Sequence, residues 1–165
     1  MVHTDKKIAV FPGTFDPATL GHFDIIQRAS NIFDEIIIAV AKNPSKHTLI
    51  SLEDRTQILK ESTLHLNNVK VLSFSCLLVD FLKQVNASIL VRGVRTVADY
   101  DYEIQLTGMY RAMMPNLEIV MLPTSGNLAY ISSTLVREVI IHKGDIRNFV
   151  PQAVANFIEQ NIYNK

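Results

Sequence analysis

The residues Pro12-Gly13-Thr14-Phe15-Asp16-Pro17-Ala18-Thr19-Leu20-Gly21-His22 hold the densest chemistry in the chain. Gly13 removes a side chain where the backbone leaves a short apolar run, so a ligand can approach closely. Thr14 offers a hydroxyl and a backbone N–H. Gly21 and His22 open an amphipathic run, and the free N–H groups and dipole of a helix start favour phosphate. His22 can donate a hydrogen bond toward the same phosphate. Alone it would read as a surface residue in the first turn of a helix; the surrounding constellation is what points to phosphate chemistry.

Cations recur at corresponding places further along. Lys46 follows the apolar run Glu35-Ile36-Ile37-Ile38-Ala39-Val40-Ala41 in a proline-containing loop, where it is either a solvated lysine or a cation reaching over phosphates. Arg92 ends another apolar run. An unpaired charge beside a sheet is costly, so Arg92 needs an anion, a protein carboxylate or a ligand phosphate, and its bidentate fork suits the latter. Arg95 lies three residues on. Ser132, Ser133 and Thr134 stand where a helix begins, and can cap it or serve a phosphate, since both uses draw on the same N–H groups. Glu103 reads as an ordinary helix carboxylate. Cys76 is the only cysteine, which excludes an internal disulfide and reads as a spectator in a reducing compartment. His3, His47, His65 and His142 show no zinc-site spacing, so no protein metal site is expected.

Short β-rich runs alternate with amphipathic runs and must position these residues. Strands are expected over 8–11, 35–41, 69–74, 88–92 and 118–122, and helices over 22–33, 52–64, 78–85, 98–114 and 132–143, with a last helix opened by Pro151. Ser51 reads as an N-cap with acidic Asp54 three positions on. Gly144 reads as a left-handed cap after the fifth helix. The alternation implies right-handed crossovers and a doubly wound, five-stranded parallel α/β sheet in one Rossmann-like domain over residues 1–165. Ligands of such sheets bind beyond the carboxyl ends of the strands. That selects residues 12–20, 42–50, 75–77, 93–97 and 123–131.

The composition bounds the partners. Hydrophobic residues at 48% and charged residues at 19% fit a folded globule rather than disorder. Lys plus Arg equals Asp plus Glu at 16 each, so no global basic field favours nucleic acid or an anionic membrane. Residues 1–7 are polar, and the apolar run after them is too short for a secretory signal. No stretch approaches the ~18 apolar residues of a membrane span. The expectation is a cytoplasmic protein.

The segment PGTFDPATLGH resembles the signature of the nucleotidyltransferase superfamily, a strand-one turn followed by Thr/His-x-Gly-His. It is most similar to the phosphopantetheine adenylyltransferase family, with Leu20 in place of the usual Asn. Further matches are Asn43-Pro44-Ser45-Lys46, Arg92-Gly93-Val94-Arg95, Asp99-Tyr100-Asp101-Tyr102-Glu103 and Tyr130-Ile131-Ser132-Ser133-Thr134-Leu135-Val136-Arg137. The resemblance implies reversible transfer of an adenylyl group from ATP to 4′-phosphopantetheine, giving dephospho-CoA and pyrophosphate. It implies His22 and Lys46 as catalytic residues. ATP would be held by Thr14, Phe15, His22, Gly93, Val94, Arg95, Glu103 and the stretch Leu128, Ala129, Tyr130, Ile131, Ser132, Ser133 and Thr134. The acceptor would be held by Thr14, Lys46, Leu78 and Arg92. Mg²⁺ bound through the ATP phosphates, feedback by coenzyme A and a homohexamer are implied in the same way.

Such an acceptor, a phosphate monoester with a second pKa near 6, is already mostly dianionic at neutral pH and needs no general base. Two rivals are a nicotinamide mononucleotide adenylyltransferase, whose usual signature has His where Thr19 stands, and a non-catalytic nucleotide sensor, which could dispense with Lys46 and His22.

Overall fold

The run Glu35–Ala41 forms β2, and six of its seven residues are buried. Without a polar face, such a strand must be covered on both sides, as in the centre of a parallel sheet. The computed structural model, which describes residues 6–42 and 47–164, places it there. The elements run β1 (Ile8–Gly13), α1 (Leu20–Ser30), β2, α2 (Leu52–Ser62), β3 (Val69–Phe74), α3 (Leu78–Gln84), β4 (Ile89–Val94), α4 (Val97–Met113), β5 (Glu118–Pro123), α5 (Ser133–Ile141) and α6 (Gln152–Ile158). A 3-10 turn, Gly126–Leu128, follows β5, and a π-helical turn, Glu159–Tyr163, follows α6.

The five strands are parallel in the order β3-β2-β1-β4-β5, as the doubly wound expectation required. The winding reverses between β1 and β4, which opens a crevice at their carboxyl ends. One face of the sheet packs on α1, α2, α5 and α6 through Ile26, Ile36, Ile38, Leu59, Ile140 and Ile158. The other packs on α3 through Val10, Ile37, Val79, Phe81, Leu82 and Leu90. Each such fully buried side chain contributes about 1.5–3 kcal/mol. At the amino-terminal pole, buried Glu35 accepts from Lys6 (2.6 Å) and pairs with Lys70 (2.9 Å), which hold its carboxyl below the usual range.

Local signals were met with differences. Ser51 caps α2, its hydroxyl accepting from the Asp54 N–H at 3.0 Å. β4 continues to Val94, so Gly93 and Val94 lie on the strand rather than in a loop. Pro151 is the N-cap of α6 rather than its first residue. Gly144 is not the left-handed residue after α5. Lys143 takes that conformation (φ 56°), while the Gly144 N–H donates to the Val139 carbonyl at 2.9 Å. Glycine is needed for space, because a Cβ there would stand 2.7 Å from Val139 Cγ1.

Candidate active site

A cleft of about 680 Å³ opens at the crevice between the ends of β1 and β4. Its walls include Thr14, His22, Leu78, Arg92, Gly93, Arg95, Glu103, Ile131, Ser132, Ser133 and Thr134, all anticipated from the sequence. Phe15 lines a smaller adjoining cavity of about 160 Å³ with Thr14, Asp16, His22, Thr48, Ser133, Thr134 and Arg137. Val94, Leu128, Ala129 and Tyr130 are not among the residues lining either cavity, and Tyr130 is 63% exposed. Lys46 lies outside the described residues.

His22 sits in the first turn of α1, with its ring against Phe15 at 5.1 Å and Phe11 at 6.4 Å. The Thr19 N–H donates to its Nδ1 at 3.0 Å, and the Thr19 hydroxyl lies at the same distance. A backbone N–H can only donate, so Nδ1 is the acceptor and the ring proton resides on Nε2. Burial, then the nearby Arg95 charge, lower the His22 pKa to about 4, which keeps the ring neutral at physiological pH. The site thus holds a neutral N–H donor whose tautomer is set from behind. Thr19 is the residue that sets it, a role sequence spacing did not assign.

Phe15 adopts φ 53°, a conformation that costs a bulky residue on the order of 1–3 kcal/mol. Its ring is buried against Phe11 and His22. A Cβ on Gly13 would stand 2.8 Å from Phe15 Cζ. Gly13 lines the cleft and also makes room for the Phe15 ring, a second demand that the sequence did not show.

The arginines are already paired. Arg92 Nε and Nη2 donate to Glu103 Oε2 (2.7 Å) and Oε1 (2.5 Å), leaving Nη1 with only a 3.5 Å contact to the Pro12 carbonyl. Arg95 pairs with Asp99 at 3.1 Å and donates through Nη1 to the Ile131 carbonyl at 3.1 Å. Burial alone would raise the Asp99 pKa, but the Arg95 hydrogen bonds outweigh it and lower it. Arg137 pairs with buried Asp16 at 3.0 Å. Among the described residues, the arginines of the site are thus matched by carboxylates. Glu103 was expected to touch nucleotide; it holds Arg92, and Arg92 has found its anion in the protein.

Other side chains fix the surrounding loops. Asp24 accepts from the Ser125 N–H (3.0 Å) and hydroxyl (2.7 Å), and Arg28 bridges Asp24 to the Pro123 carbonyl. This fastens the segment after β5 to α1. Ser132 caps α5 by accepting from the Leu135 N–H, and the Ser133 hydroxyl donates to the Pro17 carbonyl at 2.8 Å. The same cleft wall also carries apolar and aromatic side chains, Phe74, Leu78, Tyr102, Leu106 and Tyr110. Burial pushes the Tyr110 phenol up. Of this wall, sequence reasoning found only Leu78.

A fixed imidazole N–H, clamped guanidinium groups and a helix start around one crevice define a protein that handles nucleotide phosphates. The cytidylyltransferase-like family matches residues 10–139. Two curated relatives are named phosphopantetheine adenylyltransferase. That of Tolumonas auensis is 54% identical over 93% of this chain and 94% of its own. That of Aliivibrio fischeri is 51% identical over 94% of this chain and 98% of its own. A crystal structure from Vibrio parahaemolyticus, named as a candidate nicotinate-nucleotide adenylyltransferase, superposes with a TM-score of 0.73 over 97% of this chain and 96% of its own. Its 19% identity bears on the fold alone. The class is nucleotidyltransferase. Within it, the chain belongs to the phosphopantetheine adenylyltransferase family.

Proposed function

We propose that the chain transfers the adenylyl group of ATP to 4′-phosphopantetheine, releasing pyrophosphate and forming dephospho-CoA, a step of coenzyme A biosynthesis. The observation that carries this reading is the mixed lining of one cleft, in which Arg92, Thr14 and His22 stand together with Phe74, Leu78, Leu106 and Tyr110. That pairing suits a phosphate monoester on a long uncharged arm.

An acceptor phosphate oxygen attacks the α-phosphorus, a new P–O bond forms, and the bond to pyrophosphate breaks. The acceptor arrives mostly as its dianion, so no residue need remove a proton. The protein's work is positioning and charge stabilisation. Arg92 Nη1, held by the Glu103 fork, takes the acceptor phosphate, with Thr14 beside it. His22 Nε2–H donates to the α-phosphate oxygens as charge grows on them. Lys46 bridges the acceptor phosphate and the α-phosphate. Arg95 and the start of α5 hold the β- and γ-phosphates.

Asp16, Asp99 and Glu103 each face an arginine. That arrangement fits Mg²⁺ carried by phosphate oxygens rather than by protein ligands, and the ion neutralises part of the triphosphate charge when bound. A homohexamer belongs to the same reading. In its favour, α4 buries Glu103 alone and exposes Val97, Tyr100, Ile104, Met109 and Met113. So do cytoplasmic residence, which the single free Cys76 fits, and feedback by coenzyme A.

The reverse reaction tests the reading. Dephospho-CoA and pyrophosphate with Mg²⁺ should yield ATP, followed by luciferase light; no ATP above a protein-free control would overturn it.

A further inference from the structure

Arg55 is 3% exposed in the first turns of α2, yet it has no carboxylate within salt-bridge distance among the described residues. A buried guanidinium must spend its donors well, and this one spends them on backbone carbonyls. Nε donates to Ile50 O (3.1 Å) and Ser51 O (3.3 Å). Nη1 donates to Ala41 O (3.2 Å) and to Thr14 O. These carbonyls belong to three separate segments: the first loop of the site, the end of β2, and the entrance to α2. The last two flank the connection that carries Lys46 in the sequence.

Asp16 completes the arrangement from the opposite sign. It is 2% exposed and accepts from the N–H groups of Leu49 and Ile50, at 2.9 Å each. Residues 49–51 are therefore held by their N–H groups through a carboxylate and by their carbonyls through a guanidinium. Both charged groups also fix the first loop, Asp16 as a member of it and Arg55 through the Thr14 carbonyl. The loops of the nucleotide half, at Arg95 and after β5, are fastened separately by Asp99 and Asp24.

We infer that Arg55 is a positioning residue for the acceptor half of the site, setting Thr14 against both flanks of the connection that carries Lys46. It lines neither cavity of the site. The inference rests on the adenylyl-transfer reading above. A lysine keeps the charge but offers one ammonium in place of a planar fork, and cannot span carbonyls on three segments in the same geometry.

The test is steady-state kinetics on Arg55→Lys and Arg55→Ala, with ATP affinity measured by calorimetry and folding by thermal melt. Arg55→Lys should fold and bind ATP within about twofold of wild type. Its kcat/KM for 4′-phosphopantetheine should fall roughly 10–10²-fold, the size expected when reacting groups are misplaced by a fraction of an ångström to an ångström. Millimolar guanidinium, but not ammonium at equal ionic strength, should restore part of the activity of Arg55→Ala. Three outcomes overturn the inference: Arg55→Lys unchanged toward the acceptor, equal losses for acceptor and ATP, or an Arg55→Lys protein that does not fold and so marks a stability residue. A wild type that forms no dephospho-CoA in the parallel run removes the substrate reading instead, and the role derived from it.

Discussion

His22→Ala is expected to lower kcat about 10²–10³-fold while leaving ATP affinity close to wild type, because loss of a preorganised donor to a developing oxyanion removes stabilisation that exists mainly in the transition state. The ring is built for that task. Thr19 occupies Nδ1, so Nε2 carries the proton, and burial with Arg95 nearby holds the pKa at about 4. The sign matters. A depressed pKa keeps the imidazole neutral from neutral pH down to about 5, and only near pH 4 does it become a cation. His22 followed by NMR in the protein without substrates should titrate near 4, whereas a midpoint near 6.5 would contradict the desolvated, tautomer-fixed ring. Single-turnover rates with saturating ATP give the kinetic half. A variant with normal kcat and a raised ATP KM would make His22 a binding residue only.

Arg92→Ala should do two separable things. Its fork holds Glu103, whose side chain is 9% exposed, and Arg92 itself is 21% exposed. Truncation strands a desolvated carboxylate, at a cost of about 3 kcal/mol. For a chain of this size that lowers Tm by roughly 6–12 °C. It also removes the acceptor's guanidinium, which should raise the KM for 4′-phosphopantetheine roughly 10²–10³-fold, as for other truncated partners of buried charge. The double variant Arg92→Ala/Glu103→Gln separates the two effects. With no charge left stranded, it should regain most of the Tm but none of the acceptor binding. Recovery of both would mean that Arg92 serves the fold alone, and that the acceptor phosphate is held elsewhere.

The frame of the site was legible because its signals are local. The run Glu35–Ala41 could only be a doubly covered strand, and alternation with helical runs then fixed the crevice where Thr14, His22, Arg92, Arg95 and Ser133 meet. What escaped was set by partners distant in the chain. Arg55 falls on the same stripe of α2 as Ile58 and Leu59, a charge on an apolar face, but nothing in the sequence says that its partners are carbonyls from three segments. Asp16 lay inside the quoted motif, yet its hydrogen bonds to Leu49 and Ile50 span more than thirty positions and leave no trace in local spacing. Arg92 was seen to need an anion, and Glu103 was seen as a carboxylate on the next helix. Their pairing depends on the angle between β4 and α4, which periodicity does not encode. Gly144 was read as a left-handed cap, when it answers to the Val139 side chain, and the space that the Phe15 ring demands at Gly13 was not foreseen.

On the proposed function, the cleft selects a phosphate on an uncharged arm and adenylylates it. Pyrophosphate release from ATP, measured side by side with 4′-phosphopantetheine and nicotinamide mononucleotide, tests it most directly. Turnover is expected with 4′-phosphopantetheine, with dephospho-CoA as the product by mass spectrometry, and none above background with nicotinamide mononucleotide. Comparable kcat/KM for the two acceptors would contradict it.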